Sequence, residues 1–136
     1  MKILSKGINL VSNLSGSSYL LEIENLAKHY KYVVVLVDNN HQVDSLFDEL
    51  NNIYNDKVIL KFPNYGVANY SSSSIDQDVI KERLKCLIHI KDDSESNKII
   101  IGTYKSIFSK TPSIEEASKS WCSISKNSKY IEILNL

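Results

Sequence analysis

The sequence has little of the residues that form covalent frameworks and tight turns. Its 136 residues include 2 cysteines, 2 prolines and 4 glycines. The cysteines, Cys86 and Cys122, stand far apart and have no histidines at zinc-ligand spacing, so neither a disulfide framework nor a zinc site is indicated. We expect both to be reduced thiols with a structural role.

An excess of one charge is also missing, because 16 Lys and Arg stand against 16 Asp and Glu, which gives a formal net charge of +0. Binding to nucleic-acid phosphates needs a basic surplus, so autonomous DNA binding is not expected. The longest apolar run, Val33 to Val37, is far shorter than the roughly 20 residues of a membrane helix. No signal-peptide core follows Met1. We therefore expect a cytoplasmic protein without a membrane partner.

Three segments carry apolar residues at helical spacing, and three others are short apolar runs. The first predicted helix follows the loop at Ser15–Ser18 and ends near His29. The second extends from His41 to Tyr54, and the third begins at a capping box formed by Ser74 and Gln77. The predicted strands are Tyr32 to Val37, Val58 to Phe62, and Lys98 to Thr103. Because every residue from Val33 to Val37 is apolar, we predict that the first strand is central and buried on both faces.

Alternating strands and helices predict right-handed crossovers and a parallel sheet covered on both sides, which is a three-layer α/β fold. After the third strand, a short helical turn through Phe108 ends at Pro112, and Ser113 with Glu116 is placed to cap one more helix. Beyond Pro112 the pattern weakens. We therefore divide the chain into an α/β lobe over 1–112 and an incomplete segment over 113–136, as in a chain truncated within a domain.

The loop before the first helix has the small residues of a phosphate-binding loop but lacks its lysine. Gly16, Ser17 and Ser18 are followed by Tyr19, where the pattern GxxxxGK[ST] would continue with Lys. A helix cap is the simpler interpretation, and ATP binding at this loop stays open as the alternative.

One single acidic residue and one acidic pair are candidate sites. Asp38 follows a strand, where a phosphoacceptor or metal carboxylate would lie, but no acidic pair accompanies it, so we predict that it caps the helix near His41. Asp78 and Glu82 are spaced as a metal pair, but the neighbouring Lys81 favours an ion pair instead. The residues themselves therefore predict no catalytic group and no metal site.

Four pieces of the sequence, spread over residues 10–112, resemble in order and spacing the N-terminal UvrB-like module of the bacterial transcription-repair coupling factor, Mfd. The pieces are Leu14–Ser18, Phe62–Tyr65, Tyr70 through Ser74 leading into Asp76–Val79 with Glu82–Leu84, and Ile99 to Pro112. The family pattern contains F-P-D-W-E-x-L-P-Y-D and S-P-H-Q-D-I-x-S-E-R-L. This chain departs from it at Gly66, Ala68-Asn69, Ser71 and Ile75-Asp76.

The resemblance implies a degenerate P-loop NTPase lobe, UvrB- or RecA-like, that does not hydrolyse ATP and needs no cofactor in this segment. It implies a non-catalytic scaffold that supports UvrA recruitment in transcription-coupled nucleotide excision repair. In the family, an inserted domain that would begin after Pro112 contacts UvrA. The contacts with RNA polymerase and DNA, and the ATP- and Mg-dependent translocase motor, belong to other parts of the full-length protein.

The resemblance also selects the residues that define the lobe, which are Phe62, Pro63, Tyr70, Gln77, Asp78, Glu82, Arg83 and Leu84. We expect Leu84 to pack in the core, Arg83 and Glu82 to tether the loop from Pro63 to Ser74, and Gln77 to cap its helix. Two other functions stay open. One is an active nucleotide-binding protein, UvrB-like or kinase-like, that uses Gly16 to Ser18. The other is a receiver-like signalling module phosphorylated on Asp38.

Overall fold

A computed structural model describes residues 6–12, 15–54, 57–66, 76–92 and 96–119. Its helices are α1 (Ser18–His29), α2 (Asn40–Ile53), α3 (Gln77–Lys91), α4 (Tyr104–Phe108) and α5 (Ile114–Lys119), and its strands are β1 (Tyr32–Val37), β2 (Val58–Phe62) and β3 (Lys98–Thr103). The predicted order of helices and strands is confirmed. Within the described ranges, no helix combines the length and the apolar composition needed to cross a membrane.

The three strands form one parallel sheet in the order β1-β3-β2. Ile99 of β3 lies between Val33 of β1 and Ile59 of β2. Each pair of consecutive strands is joined through a helix, as parallel strands require. The predicted α/β class, with a parallel sheet flanked by helices, is therefore confirmed.

Helices cover the sheet from opposite sides and create two apolar clusters. On one side, α1 and α2 pack on the sheet through a core of Leu20, Ile23, Ala27, Val33, Val43, Leu46, Leu50, Tyr54, Ile59, Ile99 and Ile101. On the other side, Cys86 of α3 packs against Leu60 and Ile100. Burial raises the pKa of the free Cys86 thiol to about 12, which agrees with a structural role. Cys122 lies outside the described residues.

The prediction that β1 is the central strand was wrong. β3 occupies the centre, and all six of its residues are buried. β1 lies at an edge of the described sheet, where Val34 is 55% exposed and Leu36 is 37% exposed. The contacts of α3 are concentrated on β2, and although the Tyr32 hydroxyl donates to the Ile90 carbonyl of α3 at 3.4 Å, the α3 side of β1 is open at Val34 and Leu36. An apolar sequence shows that a strand tolerates burial, but it does not set the strand's position.

Two predicted helix caps are displaced by one or two residues. Asn39, and not Asp38, caps α2, because its side chain accepts a hydrogen bond of 3.0 Å from the Gln42 N–H. Asp76 caps α3 by accepting from the Asp78 N–H at 2.9 Å. Gln77 is therefore the first residue of α3 and not its cap, and Ser74 lies outside the described residues. In both loops, the residue with extended backbone next to the helix takes the cap position.

The predicted cap of the last helix is confirmed. The Glu116 N–H donates to Ser113 Oγ at 3.2 Å, and the Ser113 N–H donates to Glu116 Oε2 at 2.8 Å. These two bonds form a reciprocal capping box at the start of α5. They hold the Glu116 pKa below its ordinary value. The predicted apolar piece at Tyr130–Leu136 lies outside the described residues.

Candidate functional site

Arg83 is the most connected buried side chain that the sequence singled out. It projects from α3 and is 1% exposed. One terminal nitrogen donates to the Pro63 carbonyl at 2.9 Å, and both terminal nitrogens donate to the Ser106 carbonyl at 3.3 Å. A further bond goes to the Thr111 hydroxyl. The guanidinium therefore connects α3 to the segments that follow β2 and β3.

Two aromatic rings also contact this guanidinium. Its Cζ atom lies 4.0 Å from the ring centre of Phe62 and 4.3 Å from that of Tyr65. Arginine forms favourable cation–π contacts of this kind. Burial lowers the Arg83 pKa, while Tyr65 acts in the opposite direction. Arg83 Nε is buried without a hydrogen-bond partner among the described residues, so the terminal nitrogens make the directional contacts.

We call this group the Arg83 junction, and it consists of Phe62, Pro63, Tyr65, Arg83, Ser106 and Thr111. It brings together three of the four sequence pieces that carry the family resemblance. Arg83 contacts Pro63, the first residue of the loop that we predicted Arg83 and Glu82 to tether. The rest of that loop, including Tyr70, lies outside the described residues.

The other predicted α3 residues surround the junction but differ in their contacts. Asp78 is exposed and accepts from Lys81 Nζ at 3.0 Å, so the predicted ion pair is present. Glu82 is half-buried, and its charge helps to raise the pKa of Lys61. Leu84 was predicted to pack in the core, but its side chain is half-buried and lines a cavity.

That cavity lies beside the junction and has a volume of about 160 Å³. Its lining is mostly apolar and comes from α3 together with residues after β2 and after α4, namely Tyr65, Ile80, Arg83, Leu84, Leu87 and Pro112. Arg83 belongs to α3, and its hydrogen bonds to Pro63 and Thr111 connect this helix to both of the other segments. The junction therefore sets the shape of the cavity.

A second, polar cleft of about 210 Å³ lies where the three strands end. We call it the strand-end cleft, and its lining residues are Asp38, Asn39, Asn40, Asn64, Gly66, Thr103 and Lys105. Open α/β sheets commonly bind ligands at this edge. The described residues contain no group of three or more His, Cys, Asp or Glu side chains placed to hold a metal ion.

Fixed hydrogen bonds set the frame of the strand-end cleft. Asn40 Nδ2 donates to the Asn64 carbonyl at 2.8 Å, and the Asn64 N–H donates back to Asn40 Oδ1 at 2.8 Å. Thr103 Oγ1 accepts from the Ser106 N–H at 3.1 Å and caps α4. Asp38 and Lys105 add one carboxylate and one ammonium group. The cleft therefore offers both charges and several amides to a small polar molecule.

The loop before α1 forms a tight turn. Gly16 has a φ of +55°, a conformation that favours glycine. The Ser18 N–H donates to the Ser15 carbonyl at 3.2 Å, and Ser17 makes no side-chain cap bond. Tyr19, at the lysine position of a phosphate loop, donates to Glu49 at 2.7 Å, and this bond raises its pKa. The residue at this position thus serves to join α1 to α2.

Several residues of these two sites were not identified from the sequence. Ser106 and Thr111 contact Arg83, and Asn40 pairs with Asn64. The spacing of Thr103 and Ser106, three residues apart before an apolar pair, is a capping signal that locates the start of α4. No comparable signal identifies the Asn40–Asn64 pair, because one partner begins α2 and the other lies in the loop after β2.

Comparisons with known proteins add no family to these observations. No protein-family model, curated protein or solved structure matches this chain. The resemblance to the coupling factor therefore depends on the four sequence pieces alone.

Proposed function

We propose that this chain is a UvrB-like, degenerate P-loop lobe that acts as a non-catalytic scaffold in transcription-coupled nucleotide excision repair. In this role it supports the recruitment of UvrA through a neighbouring inserted domain that starts after Pro112. RNA polymerase, DNA and the ATP-driven motor are engaged by other parts of a full-length coupling factor. The lobe itself needs neither a cofactor nor a metal ion.

The Arg83 junction is the observation that carries this proposal. The resemblance selects Phe62-Pro63 and Glu82-Arg83-Leu84 as separate motifs and predicts that Arg83 tethers the loop that begins at Pro63. Arg83 is buried and donates to the Pro63 carbonyl at 2.9 Å. It also contacts Ser106 and Thr111, within the fourth piece. Motifs that are far apart in sequence thus contact one guanidinium, and this guanidinium fixes the segments that follow β2 and β3.

A test of the proposed role is strand-specific repair in the source organism. Disruption of the gene should slow removal of ultraviolet lesions from the transcribed strand until it equals the rate on the non-transcribed strand. Lesion mapping on both strands of an active gene measures this difference. If the transcribed strand were repaired faster than the other strand to the same extent with and without the gene, the proposal would be wrong.

Nucleotide binding at Gly16 to Ser18 is the enzymatic alternative, and it is separable from the scaffold role. A phosphate loop places a lysine against the phosphates, whereas here Tyr19 holds that position and is bonded to Glu49. We expect calorimetric titration of the chain with Mg-ATP to give no heat of binding. Micromolar binding that is lost in Ser18→Tyr would favour the enzymatic alternative instead.

The strand-end cleft favours a receiver-like module as the second candidate function. Asp38 shares this cleft with Thr103 and Lys105, and a hydroxyl and an ammonium group suit an acyl phosphate formed on a carboxylate. Incubation with acetyl phosphate and Mg²⁺, followed by intact-mass measurement, tests it. A phosphate adduct absent from Asp38→Asn would support this candidate, and an unchanged mass would exclude it under those conditions.

A further inference from the structure

Helix α4 has its polar side turned inward and its apolar side turned outward. Ser106 is 0% exposed, whereas Tyr104, Ile107 and Phe108 are 55%, 47% and 88% exposed. These three residues stand at positions i, i+3 and i+4, which lie on one face of a helix. A helix that packs only against its own domain turns such a face toward the core. The α4 stripe, formed by Tyr104, Ile107 and Phe108, is therefore a candidate interaction surface.

The contacts of Ser106 fix this inverted orientation. Its hydroxyl accepts from the Thr103 N–H at 3.0 Å and donates to the Thr103 carbonyl at 2.7 Å. Its carbonyl accepts from both terminal nitrogens of Arg83 at 3.3 Å. Because these bonds hold the buried side of α4, the helix cannot turn its apolar residues inward without breaking them. The α4 stripe is thus presented on a fixed support, which lowers the entropic cost of binding.

The charge beside the α4 stripe has one sign. Residues 104–112 include Lys105 and Lys110 and no acidic residue. Both lysines are exposed, and neither forms an ion pair within the part of the chain that the structure describes. This holds although Asp38 lines the strand-end cleft together with Lys105. An occupant that covers the apolar residues would therefore gain from acidic side chains opposite the two lysines.

Other occupants suit this charge less well. Residues 1–17 contain two lysines and no acidic residue, and residues 120–136 contain two lysines and one glutamate. A second copy that met the first stripe to stripe would bring like charges together. Two lysines beside three apolar side chains are also too few for stable anchoring at an anionic membrane. Charge complementarity therefore favours an acidic segment of a different protein.

We propose that the α4 stripe binds an amphipathic, acidic segment of a partner protein. Apolar side chains of that segment pack on Ile107 and Phe108, and its carboxylates face Lys105 and Lys110. One short helix offers a small contact area, so we expect a Kd of about 10–100 μM. The surface is independent of the proposed repair role, since it depends only on exposure, spacing and charge.

Fluorescence anisotropy with two synthetic peptides tests the charge preference. Both peptides are helices of about 14 residues with the same leucine stripe, and the remaining positions are glutamate in one and lysine in the other. We expect the full chain to bind the glutamate peptide about 10-fold more tightly or better, and the difference to shrink as ionic strength rises. Equal affinity for the two peptides, or no binding of either, would overturn the proposal.

A matched pair of substitutions locates the binding surface. Phe108→Ser removes the most exposed ring of the α4 stripe, and Leu21→Ser, at a side chain 59% exposed on α1, is the control. We expect Phe108→Ser to weaken binding of the glutamate peptide by about 5-fold or more, and the control to change it by less than about 2-fold. The urea midpoint of each variant checks that the fold is retained. Equal binding by both variants would place the peptide elsewhere and refute the assignment.

Charge reversal tests the same surface without changing its apolar residues. Lys105→Glu with Lys110→Glu should reverse the preference, so that the lysine peptide binds more tightly than the glutamate peptide. A preference that stays unchanged would show that these lysines do not face the peptide, contrary to the proposal.

The free chain distinguishes the other occupants. Trp121 is the single tryptophan, so its emission reports on residues 120–136. We expect Phe108→Ser to leave this emission unchanged and the unaltered chain to sediment independently of concentration. A shifted emission would assign the α4 stripe to residues 120–136. Self-association, or binding to phosphatidylglycerol vesicles, that Phe108→Ser abolishes would assign it to a second copy or to a membrane, and each of these three results would overturn the proposal.

Discussion

The two edges of the sheet differ in how completely they are packed. At the β2 edge, α3 covers the strand, and the Arg83 junction fixes the loop that follows it. At the β1 edge, Val34 and Leu36 are partly exposed on the side that α3 leaves uncovered. β1 is the more apolar strand, since β2 includes Lys61. Neighbouring elements, and not composition, therefore decide which strand is buried.

The largest expected effect is at the β2 edge, in Arg83→Ala. Removal of the guanidinium leaves the Pro63 carbonyl without its donor, leaves the Ser106 carbonyl with only the Ser109 hydroxyl as donor, and opens a cavity beside two aromatic rings. We expect a loss of about 4 kcal/mol in the free energy of unfolding, measured by urea denaturation. Lys85→Ala, at an exposed position of the same helix, should change it by less than about 0.5 kcal/mol. Similar values for both variants would refute the junction's structural role.

Truncation of two apolar side chains compares the buried centre of the sheet with the exposed face of β1. Ile101 of β3 is 0% exposed, so Ile101→Ala should cost about 3 kcal/mol through lost burial and a cavity. Val34 of β1 is 55% exposed, and Val34→Ala should cost less than about 1 kcal/mol. Thermal and urea unfolding of both variants measure the difference. A cost at Val34 as large as at Ile101 would show that the α3 side of β1 is covered in solution.

A methyl group added at Gly102 probes how tightly β3 packs against β2 and α4. A Cβ atom there would lie 3.0 Å from the Phe62 carbonyl oxygen and 3.0 Å from Ser106 Oγ. Because one of these neighbours is backbone, Gly102→Ala should destabilise the fold by about 2 kcal/mol, measured as the urea midpoint at unchanged m-value. A neutral result would mean that β2 and α4 can separate at no cost.

The smallest effect is electrostatic and lies on the β1 side, at Glu24 of α1. A hydrogen bond from Lys28 at 2.7 Å is the main cause of its lowered pKa, and Lys57 and Tyr54 contribute. Because the folded-state pKa is depressed, the stabilisation is present above the ordinary value of 4.5 and is lost as pH falls through the folded-state pKa.

Glu24→Gln should therefore lower stability by less than about 1 kcal/mol at neutral pH, and the difference should shrink in acid. Urea denaturation of both proteins across this pH range measures it. A difference that grows in acid would contradict the assigned direction.

The order of helices and strands was predictable because periodic apolar residues specify local structure directly. The Ser113–Glu116 capping box was likewise predictable, since its partners are three residues apart. The caps at Asn39 and Asp76 were missed because adjacent Asp, Asn and Ser residues suit an N-cap almost equally well. The backbone conformation determines which of these adjacent residues becomes the N-cap, and the sequence pattern alone does not specify that conformation residue by residue.

The contacts of the candidate sites were only partly predictable, for a different reason. The motif resemblance indicated that Arg83 holds the loop after Pro63, and this contact is present. Its bonds to Ser106 and Thr111 depend on how α4 folds back over β3, which is a property of tertiary packing. The edge position of β1 is also tertiary, because an all-apolar strand is compatible with several places in a parallel sheet.

The proposed function requires the Arg83 junction to stabilise a scaffold used in transcription-coupled repair. The most direct test is strand-specific lesion removal in a strain that lacks the gene and is complemented with either the unaltered gene or Arg83→Ala. We expect the unaltered gene to restore faster repair of the transcribed strand and Arg83→Ala to fail to do so. Faster repair of the transcribed strand in the uncomplemented strain would contradict it.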